Sequence, residues 1–147
     1  MSRLRAIDGS SMEALLGAAP GAWEADRAMR QVLIDRLKPR LFSLIGIVVA
    51  AGLRCERFID DLRGPLQSSD AARVAQAWRE VNLSDGEKAA LAYAEKGTLD
   101  EAAVRKRDID DLRSAGFSDS EILLIATTIA YHNYAIRMAA AFDVKPG

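Results

Sequence analysis

Apolar residues recur at helical spacing through nearly all of this chain, and no stretch alternates apolar and polar positions for long. A period near 3.6 marks amphipathic helices, whereas strands need a period of two, so the pattern predicts an all-α protein. Ser11 can cap a short first helix that stops near Gly17 and Pro20. From Gly21 to Leu37, the residues Trp23, Met29, Val32, Leu33 and Ile34 fall on one helical face. Pro39 suits a first helical turn, where its missing N–H costs nothing. The helix it opens, to about Gly52, is apolar almost all round. Such a helix is buried on several sides, by its own domain or by a neighbouring subunit. One small domain would struggle to cover it, so a homo-oligomer is expected, with Pro39–Gly52 as the candidate interface helix.

Beyond Gly52, a further helical segment carries Cys55, Phe58, Ile59 and Leu62 before Gly64-Pro65 stops it. Ala71 to Glu80 places Val74 and Trp78 on one face. Ser84-Asp85-Gly86-Glu87 and Ser118-Asp119-Ser120-Glu121 both fit the capping box, in which serine and glutamate satisfy each other's backbone N–H groups. Gly97 is expected to close the first of these helices. Gly116 is expected to stop an Arg107–Ala115 helix as a left-handed residue just past its end. The last helix should run from about Asp119 to Phe142. I-D-D-L-R occurs at Ile59–Arg63 and again at Ile109–Arg113, but two copies do not make a repeat architecture. The pattern amounts to six to eight helices in a single domain, residues 1–147.

Composition narrows the function classes. The 147 residues carry 20 Lys+Arg against 21 Asp+Glu, without the basic excess of a nucleic-acid binder. The run Arg105-Lys106-Arg107 is flanked by Glu101 and Asp108 and reads as solvated surface. One cysteine allows no intramolecular disulfide, and no signal peptide or membrane-length apolar run is visible, so a cytoplasmic protein without membrane association is expected. No cofactor is implied. A zinc site would need three or four ligands, and the single Cys and single His lie 77 residues apart.

The stretch from Asp108 to Val144 reads D-I-D-D-L-R-S-A-G-F-S-D-S-E-I-L-L-I-A-T-T-I-A-Y-H-N-Y-A-I-R-M-A-A-A-F-D-V. Its helix ending in A-G-F, its S-D-x-E-I restart and its Y-x-N-Y followed by R resemble the closing helices of the AhpD-like alkylhydroperoxidase family. That family also includes the carboxymuconolactone decarboxylases. The resemblance implies an AhpD-like multi-helix bundle, oligomeric, acting on a small-molecule substrate. It also implies thiol redox chemistry by a C-x-x-C pair near a helix start, where the dipole stabilises a thiolate. In such a site the second cysteine attacks peroxide, the first resolves the sulfenic acid, and a glutamate and histidines relay the proton.

Carried onto this chain, most of that set is replaced. Cys55 matches the first, resolving cysteine, while Phe58 stands for the attacking one. Arg57 and Leu62 stand where histidines are expected, and Ser43, twelve residues before Cys55, replaces the glutamate. Two candidate catalytic residues remain. Cys55 is either a packed small hydrophobe or a thiol activated by Arg54 and Arg57. His132 is either a general base reaching Cys55 or a ligand, or a buried histidine bonded through one ring nitrogen. Asn133 and Arg137, four apart, read as orienting contacts within the fold. Three functions follow: a thiol peroxidase or oxidoreductase weakened or silenced by the lost groups; a decarboxylase-like lyase using acids such as Glu56, Asp60 and Asp61; and a non-enzymatic oligomeric relative.

Overall fold

The structure is a computed structural model describing Ile7 and residues 9–146. Among these residues there are eight α-helices and no strand. They are α1 (Met12–Leu16), α2 (Ala22–Leu37), α3 (Pro39–Gly52), α4 (Ile59–Leu62), α5 (Ser68–Ala77), α6 (Asp85–Leu99), α7 (Lys106–Ser114) and α8 (Asp119–Phe142). Short 3-10 turns precede α4 and follow α5 and α6.

Local chemistry sets most of these boundaries. Ser11 Oγ accepts from the Ala14 N–H at 3.1 Å and starts α1. Both expected capping boxes form: Ser84 with Glu87, and Ser118 with Glu121. Gly116 has φ +103 and closes α7, with its own N–H bonded to the Arg113 carbonyl and that of Phe117 to the Leu112 carbonyl. This paired bonding satisfies two carbonyls that the helix end would leave free. Gly97, by contrast, does not end its helix; α6 runs through it to Leu99. A glycine inside a helix costs only about 1 kcal/mol, which the flanking turns of α6 absorb. A single residue, Lys38 (φ 83, ψ 142), joins α2 to α3.

The centre of the molecule is α3. It packs against α2, α4, α5, α6 and α8, and every residue from Phe42 to Ala50 is buried within the one chain. The all-round apolar character of α3 therefore reflects a central position in its own domain. It is not the exposed interface helix that its composition suggested. The apolar line of α2 also differs from expectation. Its buried residues are Asp26, Leu33 and Leu37, while Met29 and Val32 face outward. No helix among the described residues is long and apolar enough to cross a membrane.

Candidate functional site

The Cys55 segment leaves α3 through a tight turn. The N–H groups of Leu53, Arg54 and Cys55 bond back to the Val49, Ala51 and Ala50 carbonyls, and Arg54 takes φ +58. Cys55 is half-buried against the main apolar core, and its Sγ–H points at the Leu53 carbonyl, 3.5 Å away. The helical start beyond it is brief: a 3-10 turn over Glu56–Phe58 and then the four residues of α4. Few free N–H groups are thus aligned toward the sulfur. Arg57, expected to activate the thiol, stacks over the Phe58 ring at 4.6 Å and reaches Asp143 at 3.5 Å. Phe58 and Leu62, where the resemblance would place a cysteine and a histidine, are both buried in the core. Ser43, where the resemblance would place a glutamate, is buried against the backbone of Gly64, whose φ is +52. A side chain at Gly64 would run into the Ser43 hydroxyl.

His132 lies elsewhere, at the junction of α3 and α8. Its Nε2 donates to the Phe42 carbonyl at 2.9 Å, which fixes the tautomer and leaves Nδ1 without a partner among the described residues. The ring sits 4.4 Å from the Phe42 ring and meets Tyr131 edge-on at 5.7 Å. Gly46 makes room for it: a Cβ there would stand 2.7 Å from the ring carbon Cε1. Complete burial lowers the imidazole pKa to about 3; the Phe42 carbonyl opposes this shift, and the charge of Arg30 adds to it. His132 is thus a neutral core side chain. The structure does not join the two candidates: Cys55 hydrogen-bonds locally past the end of α3, and His132 is sealed against its first half. Of the closing-helix pair, Asn133 does orient the fold, donating to Thr98 Oγ1 at 3.1 Å and to the Ile129 carbonyl at 3.0 Å. Arg137 makes no such bond with the described residues and lines an open cleft of about 690 Å³ with Tyr93, Glu101 and Asn133.

Two further features surround the bundle. Glu56 and Asp60 line a cavity of about 340 Å³ beside the Cys55 turn. Between α2 and α8 lies a cavity of about 350 Å³, almost wholly apolar, whose one acid is the buried Asp26. Oδ2 of Asp26 accepts from Arg27 Nη2 at 2.7 Å and from the Tyr131 hydroxyl at 3.4 Å. Oδ1 has no partner among the described residues. Burial and the nearby Asp26 charge raise the pKa of Tyr131, and they push that of Tyr134 up to about 12. The sequence does carry a signal for Asp26: it stands seven and eleven residues before Leu33 and Leu37, on their apolar face. Among the described residues no group of three or more His, Cys, Asp or Glu side chains is arranged to hold a metal ion.

With this geometry in hand, comparison with solved structures defines the class: the fold is that of the AhpD core of the alkylhydroperoxidases. The chain is similar to an uncharacterized peroxidase-related protein from Ralstonia eutropha, described as an AhpD core, with TM-score 0.73 and 21% identity over 91% of this chain and 75% of that one. A peroxidase-related protein from a Silicibacter species gives TM-score 0.71 and 22% identity over 91% and 76%. A protein of unknown function from Agrobacterium tumefaciens, related by its description to the antioxidant-defence protein AhpD, matches over nearly the whole length of both chains. It gives TM-score 0.72 and 23% identity over 97% of this chain and 96% of that one. At such identities the likeness establishes the fold. No protein-family model matches the sequence, and no curated protein matches it either.

Proposed function

We propose that this chain is an AhpD-fold protein in which the thiol centre has become a packed turn, so that the hydroperoxide reduction suggested by the fold is weak or lost. The observation that carries this reading is the company Cys55 keeps. A disulfide cycle needs one thiolate to take an oxygen from the hydroperoxide and a second thiol to displace it as water. Cys55 is the only thiol in the chain, and core side chains Phe58 and Leu62 occupy the positions of the attacker and its histidine. His132, the one imidazole, is buried and neutral and bonds a backbone carbonyl. On this reading the protein is a homo-oligomeric, cytoplasmic relative of the peroxidases that retains the scaffold without the cycle. The test is consumption of an organic hydroperoxide with a dithiol reductant by the wild type and by Cys55→Ser. Equal, near-background rates are expected; rapid turnover abolished by Cys55→Ser would establish a one-cysteine peroxidase instead.

The second reading, a lyase of decarboxylase type, is favoured by one feature, the paired Glu56 and Asp60 on a single cavity. General acid–base chemistry on a small lactone needs such a pair within reach of one substrate. Turnover of a cyclic lactone that vanished in Glu56→Gln and Asp60→Asn would support this reading over the first.

A further inference from the structure

The open cleft of about 690 Å³ between α6 and α8 shares no residue with the Cys55 turn. Its volume falls within the range of small-molecule sites. Along α8 its wall follows one helical row, Ala126, Ile129, Asn133 and Arg137, so it is apolar toward Ala126 and polar toward Arg137. Glu101, in the 3-10 turn after α6, adds an acid to the same cleft. Arg137 and Glu101 are both exposed, and neither side chain makes an ion pair or hydrogen bond with the described residues. Two opposite charges thus face one cleft without meeting each other. Asn133 commits its amide nitrogen to Thr98 Oγ1 and the Ile129 carbonyl, which leaves its Oδ1 as a fixed, free acceptor.

Gly97 belongs to the same wall, inside α6. A glycine costs a helix stability, and here neither backbone nor packing calls for one. Its φ is not left-handed, and an added Cβ would meet nothing nearer than Ile129 Cγ2 at 3.7 Å, an ordinary contact. What the missing side chain leaves is room in the cleft. From these features we propose that the cleft binds a small apolar α-amino acid as its zwitterion. The carboxylate lies on Arg137, the ammonium on Glu101 and Asn133 Oδ1, and the side chain along Ile129 over Gly97. The two charges select this class of ligand. A plain carboxylate leaves Glu101 unbalanced and a plain amine leaves Arg137 unbalanced, whereas a zwitterion satisfies both. A guanidinium holds a carboxylate through two parallel hydrogen bonds. The Asn133 oxygen can only accept, so it favours the ammonium end and sets the orientation. The apolar wall favours a hydrophobic side chain over none.

Isothermal titration calorimetry with L-phenylalanine tests the site, alongside three probes that each lack one part: 3-phenylpropionate without the ammonium, phenethylamine without the carboxylate, and glycine without the side chain. L-phenylalanine should saturate at concentrations up to about 10 mM, which reaches past the millimolar range of weak specific sites. Each of the other three should bind at least about tenfold more weakly, the loss expected when a charged hydrogen bond or a buried side chain is removed. Arg137→Gln and Glu101→Gln should weaken L-phenylalanine binding by about the same factor. Gly97→Ala should weaken it too, while the thermal midpoint stays level or rises. Failure of L-phenylalanine to saturate would overturn the proposal. So would 3-phenylpropionate or phenethylamine binding as well as L-phenylalanine, which would make this a simple ion site, and so would unchanged affinity in all three variants. Should Arg137→Gln lose its helical signal, the four probes on the wild type decide by themselves.

Discussion

The turn around Cys55 and the face between α2 and α8 distribute their side chains in opposite ways. In the turn, at the positions where the resemblance would place a cysteine, a histidine and a glutamate, the side chains of Phe58, Leu62 and Ser43 are buried. On the α2–α8 face, where a lone domain would be polar, apolar groups are exposed and a carboxylate, Asp26, is buried. The contrast separates the packing around Cys55 from the exposed apolar surface of α2 and α8. Apolar residues hold the Cys55 turn in shape, while the unusual features of the chain lie on another surface.

The turn side of this comparison is tested hardest by cutting into its packing. Phe58→Ala should destabilise the protein by about 3–5 kcal/mol, the cost of deleting a core aromatic, while Cys55→Ala should cost less than about 1 kcal/mol. Urea midpoints at constant slope measure both, and a Phe58→Ala loss no larger than that of Cys55→Ala would remove the argument that the turn is core. Next in size is Gly46→Ala, whose Cβ would meet the His132 ring at 2.7 Å; overpacking of this kind costs about 1–3 kcal/mol. A neutral effect on thermal unfolding would mean that the histidine is not held as described.

The third test uses pH. The folded His132 pKa of about 3 lies below its ordinary 6.5, so the unfolded chain takes up the proton first as pH falls. The stability gained by keeping the ring neutral is complete above pH 6.5 and is lost as pH drops toward 3, with a slope approaching about 1.4 kcal/mol per unit. Glu95, which Arg79 holds below its usual 4.5, contributes only at the acid end of this range. Denaturant unfolding of His132→Gln should lose the slope between about pH 6 and 5, where few other groups titrate. An unchanged slope would place the titration elsewhere. The smallest effect is expected at Lys38, whose φ of 83 and ψ of 142 fall where glycine alone is unstrained. Lys38→Gly should raise stability by about 1 kcal/mol, and a loss would show that the link between α2 and α3 is not strained.

Much of this architecture was legible because its signals are local. Ser84, Ser118, Pro39 and Gly116 act within one helical turn, and the helix ends they set fall within a residue or two of where the sequence places them. What the sequence could not supply was the source of each helix's cover. The apolar surface of α3 looks the same whether α5, α6 and α8 of its own chain bury it or a partner does. Met29 and Val32 likewise resemble core residues until α2 is seen to bury Asp26, Leu33 and Leu37 instead. Gly97 looks like a stop in the sequence because the turns of α6 that carry the helix past it are not visible in one residue. At the site, the absence of the second cysteine was plain from the sequence. The choice between a catalytic and a core His132 needed the Phe42 carbonyl and Gly46, ninety and eighty-six residues away in the chain.

The central claim is that Cys55 belongs to a packed turn and is not a peroxidatic thiol. Trapping sulfenic acid with dimedone during brief exposure to an organic hydroperoxide, followed by mass spectrometry of the intact chain, tests it most directly. The native protein should label no faster than the same chain unfolded in urea, where Cys55 is an ordinary exposed thiol. Labelling of the folded chain well ahead of the unfolded one would contradict the account, because only a site built to activate that sulfur could produce it.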